Sequence, residues 1–282
     1  MTKIKVGING VNRMFETLIE EMKLKNFSKK TMEIYLYYNQ VFIKYIKKSP
    51  REVSGKDIRD YLLYLICKRK SSSTINLIHN ALNFYYGNIL KKSVKHIPFQ
   101  KREHKVKQIA SKNNIQKMIQ VTKNQKHKLI ISLLYASGVR RAELVKIKIN
   151  DLDFGKKLLL VRQGKGNKDR YTILSDLVIN QIHTYLMKRP YNSEYLFASQ
   201  NGHITSSTVE QVIKQARIKA KIKNNLTPHS LRHSFTTHHM ESGTKTEYIQ
   251  EMLGHKDIRT TRGYEKISNR HLMKIKSPHD IF

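Results

Sequence analysis

Apolar residues recur at helical spacing through most of the chain. Residues 12–23 are amphipathic, and Ser28 then precedes a face made of Met32, Tyr35, Leu36, Phe42, Tyr45 and Ile46, which predicts a capped helix ending before Pro50. Ser54-Gly-Lys-Asp57 has capping-box spacing, and Ile58, Tyr61, Leu62 and Leu65 follow on one face. The serine cluster at 71–73 ends that helix and starts a fourth, running through Ile75, Ile78, Leu82 and Phe84 to Leu90. The tyrosines of this half suit base stacking, but amphipathic residues half-buried in a small bundle account for them more simply.

Helical periodicity breaks at 91–107, where Pro98 interrupts a run dense in lysine and arginine. The boundary falls there: an N-terminal helical domain over 1–97, a basic linker over 98–108, and a second domain over 109–282. The linker is either a solvated connector or a stretch of charge lying along a phosphate backbone. Beyond it, 113–121 and 126–137 read as helices, with Gly138 as a stop, and 141–149 resumes a helix. Residues 157–162 and 170–174 then read as two strands of a hairpin, joined by Gln163-Gly-Lys-Gly-Asn-Lys-Asp169. Helix returns at 206–220, 228–242 and 246–253, and a last helical stretch carries Tyr264. The expected fold class is mainly α with a small β-sheet, in two lobes.

Charge narrows the partner. Lys plus Arg number 54 against 21 Asp plus Glu, a formal charge of +33, so the chain should concentrate on polyanions. The basic residues are spread along the whole length instead of forming one polybasic face, which favours nucleic acid over a membrane surface. The longest apolar stretch, 129–136, is too short to span a bilayer, and no apolar run with a small-residue cleavage site opens the chain. A single cysteine, Cys67, excludes an intramolecular disulfide and a multi-cysteine zinc site, and a reducing cytoplasm, in association with the nucleoid, is the expected location. Cys67 ends the apolar Tyr-Leu-Leu-Tyr-Leu-Ile-Cys and is expected to be a core thiol.

Six polar residues occur in a fixed order: Arg140, Lys165, His229, Arg232, His255 and Tyr264. In-line attack on a phosphodiester adds negative charge to the non-bridging oxygens, which two permanently protonated guanidiniums can grip; Arg140 and Arg232 are the natural pair. A leaving 5′ hydroxyl needs a proton that arginine does not give up, and Lys165 on the hairpin tip suits that role. His229 and Arg232 are three apart on one helical face behind Thr227-Pro228, near a helix N-terminus that already favours an anion. Gly254 is a helix stop that puts His255 on the following loop. At neutral pH only about one tyrosine in a thousand is phenolate, roughly 4 kcal/mol that a cluster of cations must offset for Tyr264 to attack.

These motifs resemble the tyrosine recombinase and integrase family, most closely its small two-domain Xer-like members, over nearly the full length. Gly-Val-Arg-Arg-Ala-Glu-Leu looks like the first arginine motif and assigns Arg140 in preference to Arg141; Gly-Lys-Gly-Asn-Lys is similar to the hairpin motif and assigns Lys165. His-Ser-Leu-Arg-His and Leu-Gly-His match the next two boxes, giving His229, Arg232 and His255, and Thr-Thr-Arg-Gly-Tyr gives Tyr264 as nucleophile. The resemblance implies an N-terminal core-binding (SAM-like) domain and an α+β catalytic domain that clamp double-stranded DNA. It implies a covalent 3′-phosphotyrosyl intermediate, release of a 5′ hydroxyl, no metal or other cofactor, and a homo- or hetero-tetramer on two sites. The biological role is either dimer resolution or integration and excision of a mobile element. Members often exchange a C-terminal segment between neighbours, for which 269–282 is the candidate; Glu265-Lys266 after the tyrosine departs from the commonest pattern.

Lys-Val-Gly-Ile-Asn-Gly at the start lacks the third glycine and the βαβ unit of a dinucleotide site. His229 and His233 have zinc-like spacing but no glutamate follows the first histidine, and Arg232 between them repels a cation. Asp151 and Asp153 fit a turn better than a carboxylate metal site. A type IB topoisomerase shares the attack but reseals the same strand, and a non-catalytic DNA-binding protein shares the fold. The paucity of acidic residues disfavours a metal-dependent transposase or nuclease.

Overall fold

The computed structural model describes residues 14–94, 96–101, 108–162, 169–190, 192–200, 202–254 and 275–281. The chain divides into two compact units, Met1–Lys105 and Val106–Phe282.

In the first unit, α1 (Glu16–Leu24), α2 (Lys29–Ile46), α3 (Gly55–Cys67) and α4 (Ser72–Leu82) form a bundle. The expected caps at Ser28 and Ser54 are in place, Ser28 accepting from the Thr31 amide and Ser54 forming a reciprocal box with Asp57, and within the serine cluster Ser71 accepts from the Thr74 amide. The chain beyond α4 widens into a π-helix over Asn83–Ile89, burying Phe84, Tyr85 and Tyr86. Tyr61 and Tyr86 are core residues while Tyr37, Tyr45 and Tyr64 stay half-exposed, which is the bundle reading of the tyrosines. Cys67 corrects an expectation: it is exposed. Ile58, Tyr61, Leu62 and Leu65 take the inward face of α3, which leaves Leu63, Ile66 and Cys67 pointing outward.

The start of the basic linker is held by this unit. The side chain of Asn76 stands in for a strand backbone, donating to Gln100 O at 2.8 Å and accepting from its amide at 2.9 Å. Phe99 stacks on His79 with ring centroids 4.3 Å apart.

The second unit is built around α6 (Gln125–Ser137), buried on every side from Leu129 to Ser137. Packed on it are α5 (Lys112–Val121), the short α7 (Arg141–Leu144), α8 (Asp176–Lys188), α9 (Ser206–Lys219) and α10 (Pro228–Glu241); α11 (Thr246–Leu253) lies on α10 and the sheet. The sheet runs β1 (Leu152–Asp153), β2 (Leu158–Val161), β3 (Arg170–Ile173), all antiparallel, with Leu158 opposite Ile173 and Val161 opposite Arg170. A second, two-stranded ribbon joins β4 (Ala198–Ser199) to β5 (Gly202–His203).

Two differences from the sequence reading have physical causes. α8 has no counterpart among the predicted elements, although Ser175 caps it and Val178, Ile179, Ile182 and Tyr185 give it an apolar stripe. The helix expected over 141–149 stops at Leu144, because Ile147 and Ile149 exchange backbone bonds with Leu196 and Glu194, and the Asp151 carboxylate accepts the Lys148 amide. The mainly α class with a small sheet otherwise stands. The described C-terminal residues rest on their own unit: Ile275 packs against the apolar cluster that includes Phe235 and Ile249, Ser277 donates to Ala136 O, and His279 is buried beside Ser175. No helix among the described residues is long and apolar enough to cross a membrane.

Candidate active site

The site begins where α6 ends. Gly138 has a left-handed backbone (φ +62), and a Cβ there would lie 2.5 Å from Phe235 Cδ1, so only glycine allows the reversal. The turn delivers Arg140 to the N-cap of α7 with extended backbone. Glu143, three residues on, accepts from the Arg140 amide at 2.7 Å and from its Nη1 at 2.8 Å. One carboxylate thus fixes both the backbone and the guanidinium of Arg140.

α10 contributes the next pair. Thr227 caps it, accepting from the Ser230 amide at 3.2 Å, and Pro228 occupies its first position. His229 is exposed on the first turn, its ring 4.2 Å from that of His233. Arg232, one turn further, is 4% exposed and donates from Nη1 to Gly138 O at 2.5 Å and from Nη2 to Leu253 O at 2.7 Å. Arg140, Arg141, Ala142, Glu210, Thr227, Pro228, His229 and Arg232 line one open cleft of about 500 Å³. Arg141 is ion-paired with Glu210 at its rim. Helix-terminal amides together with Arg140, His229 and Arg232 make this cleft a receptor for a phosphate-sized anion.

Two members of the polar cluster escaped the sequence reading. Arg170, at the start of β3, grips Glu143 with a bidentate fork, Nη1 at 2.9 Å and Nη2 at 2.7 Å, and its Nε donates to Met252 O at 2.8 Å. Burial opposes ionisation of Glu143, but hydrogen bonds and charge from Arg170, then the amide and guanidinium of Arg140, outweigh it and hold the carboxyl at about 2. Arg232 lies 4.0 Å from the same carboxylate. Burial and then the Arg140 charge pull its guanidinium down to about 9, which leaves it protonated at neutral pH. Glu143 stands three residues after Arg140, the spacing of a capping box without its serine or threonine, and Arg170 alternates with Tyr171 and Ile173, which in the sequence reads as the outward face of a strand.

Of the six expected site residues, Arg140, His229 and Arg232 come together in this cleft. Lys165, His255 and Tyr264 lie outside the described residues. The described residues nearest to two of them are placed: β2 and β3 stand on either side of Lys165 in the sequence, and Gly254, left-handed at the C-cap of α11, precedes His255. Asp151 accepts from the Lys148 amide and Arg162, and Asp153 from the Lys156 amide, so both carboxylates serve turns. Among the described residues no group of three histidine, cysteine or acidic side chains could hold a metal ion.

Comparison with known proteins agrees over both units. Residues 102–271 match the phage integrase family, and residues 14–96 match the phage integrase N-terminal SAM-like domain. Tyrosine recombinase XerA of Pyrococcus horikoshii is 34% identical over 92% of this chain and 90% of its own. A putative integrase/recombinase, y4qK, of Sinorhizobium fredii is 32% identical over 94% of this chain and 88% of its own. The fold is shared with the XerH site-specific recombinase bound to its palindromic difH substrate, at TM-score 0.70 and 19% identity, covering 88% of this chain and 79% of that one.

Proposed function

Because the chain belongs to the phage integrase family of tyrosine recombinases, we propose that it carries out site-specific recombination by cutting and rejoining duplex DNA at the cleft of Arg140, His229 and Arg232. The observation that carries this reading is the convergence of two guanidiniums and an imidazole, from helices far apart in sequence, at one capped helix N-terminus.

In this mechanism Arg140 and Arg232 bind the non-bridging oxygens of the scissile phosphate, where negative charge grows in the transition state. The Tyr264 oxygen attacks phosphorus in line as its proton passes to a neighbouring base, His229 or His255. The bond from phosphorus to the 5′ oxygen breaks, and Lys165 protonates that oxygen. The 3′-phosphotyrosyl ester conserves the bond energy, so a partner's 5′ hydroxyl can reverse the step and rejoin strands without a high-energy cofactor. Residues 1–97 serve as the core-binding domain, followed by the basic linker over 98–108 and the catalytic domain over 109–282. Two sites are brought together by a homo- or hetero-tetramer, at the nucleoid.

A nicked suicide duplex tests the reading. Incubated in EDTA and resolved by denaturing electrophoresis, the native chain should form a covalent protein-DNA adduct and Tyr264→Phe none. An adduct that survives the substitution overturns the nucleophile assignment. DNA binding with no adduct from the native chain favours a non-catalytic binding protein.

A further inference from the structure

Arg170 is charged, inward-facing and outside the cleft. Strand alternation puts it on the buried side of β3 beside Thr172, with Tyr171 exposed between them. A buried guanidinium must have its donors satisfied, and each nitrogen of Arg170 donates to protein: Nε to Met252 O, Nη1 and Nη2 to the two oxygens of Glu143. Its side chain is 7% exposed. Arg232 donates to Leu253 O, so two arginines hold consecutive carbonyls in the last turn of α11. Gly254 leaves room for this, since a Cβ there would lie 2.8 Å from Arg170 Cδ. Resting on the cleavage reading above, we propose that Arg170 is a positioning residue for strand cleavage. By gripping both oxygens of Glu143 and the end of α11 at once, it fixes Arg140 and Arg232 in the spacing and orientation that a phosphate requires. The planar fork is what reaches both partners; an ammonium cannot point along all three bonds.

The test uses the full-length chain on the nicked suicide duplex under single-turnover conditions, with Arg170→Met and Arg170→Lys, and DNA affinity read by fluorescence anisotropy at the same salt. Cleavage should slow on the order of 100-fold in both variants, as expected for misplaced catalytic groups. DNA affinity should stay within about 3-fold, because the remaining charge still supplies it. A second readout separates positioning from general damage. Without Arg170, its largest source of stabilising hydrogen bonds and charge, the buried Glu143 carboxyl takes up a proton at higher pH than in the native chain. Residual cleavage by Arg170→Met should therefore fall away at a higher pH than native cleavage does, and adding Glu143→Gln should remove that added acid limb. A pH-independent loss, a native rate in either variant, or a parallel loss of DNA affinity overturns the proposal. If Arg170→Met does not fold, Arg170→Lys carries the rate and affinity comparison. A native chain that forms no adduct overturns the cleavage reading itself; a native adduct with unaffected variants overturns only the role of Arg170.

Discussion

Replacing Glu143 by glutamine keeps the shape of the side chain and removes the one carboxylate among Arg140, Arg170 and Arg232. The magnitude follows from its environment. Holding the carboxyl at about 2 against an ordinary 4.5 corresponds to roughly 3 kcal/mol of folded-state stability at neutral pH. An independent figure agrees: breaking a buried ion pair by removing one partner costs about 3–5 kcal/mol, because the other charge stays buried and uncompensated. The folded pKa is depressed, so this contribution is complete above the unfolded value near 4.5 and is lost as pH falls through about 2. Urea unfolding followed by circular dichroism at a series of pH values measures it. Glu143→Gln should cost about 3 kcal/mol at about pH 7, and the gap to the native chain should begin to narrow below about pH 5. A loss under about 1 kcal/mol, the size of a surface pair, would refute the reasoning. So would a loss that is the same at every pH.

Gly138→Ala should cost at least about 1 kcal/mol from the left-handed backbone alone, with more from the contact at Phe235; it should also slow adduct formation, since Gly138 O is an acceptor for Arg232. Denaturant midpoints and single-turnover cleavage check both parts. Burial depresses His239 and His279 to about 4 in the folded chain. Each favours the neutral folded form, so stability should be full above the unfolded value near 6.5 and fall by up to about 2 kcal/mol per histidine on going to about pH 5. A urea midpoint that does not change between those pH values contradicts it, and His279→Gln should flatten the dependence in part.

Much of the fold was legible because its signals are local. Caps at Ser28, Ser54, Ser71 and Thr227, stops at Gly138 and Gly254, and the β2–β3 hairpin all follow from residues within a few positions of one another. The misses were of two kinds. The helix after Arg140 is cut short by backbone bonds to the distant segment at 194–196, whereas Cys67 is exposed because the opposite face of its own helix satisfies the core, and α8 carries its cap and apolar stripe locally.

The candidate site divides the same way. Sequence by itself determined the residue types and their order: the arginine at a helix start, the histidine and arginine one turn apart behind Thr-Pro, and the total charge that selects a polyanion. Only the tertiary structure decided that Arg140, His229 and Arg232 share a cleft, that Glu143 holds two arginines while a third stands at 4.0 Å, and that Arg170 reaches from a strand to the end of α11. The physical reason is burial. A charged residue in a sequence reads as surface, and whether it is instead desolvated and held depends on partners tens of residues away, which no local pattern specifies.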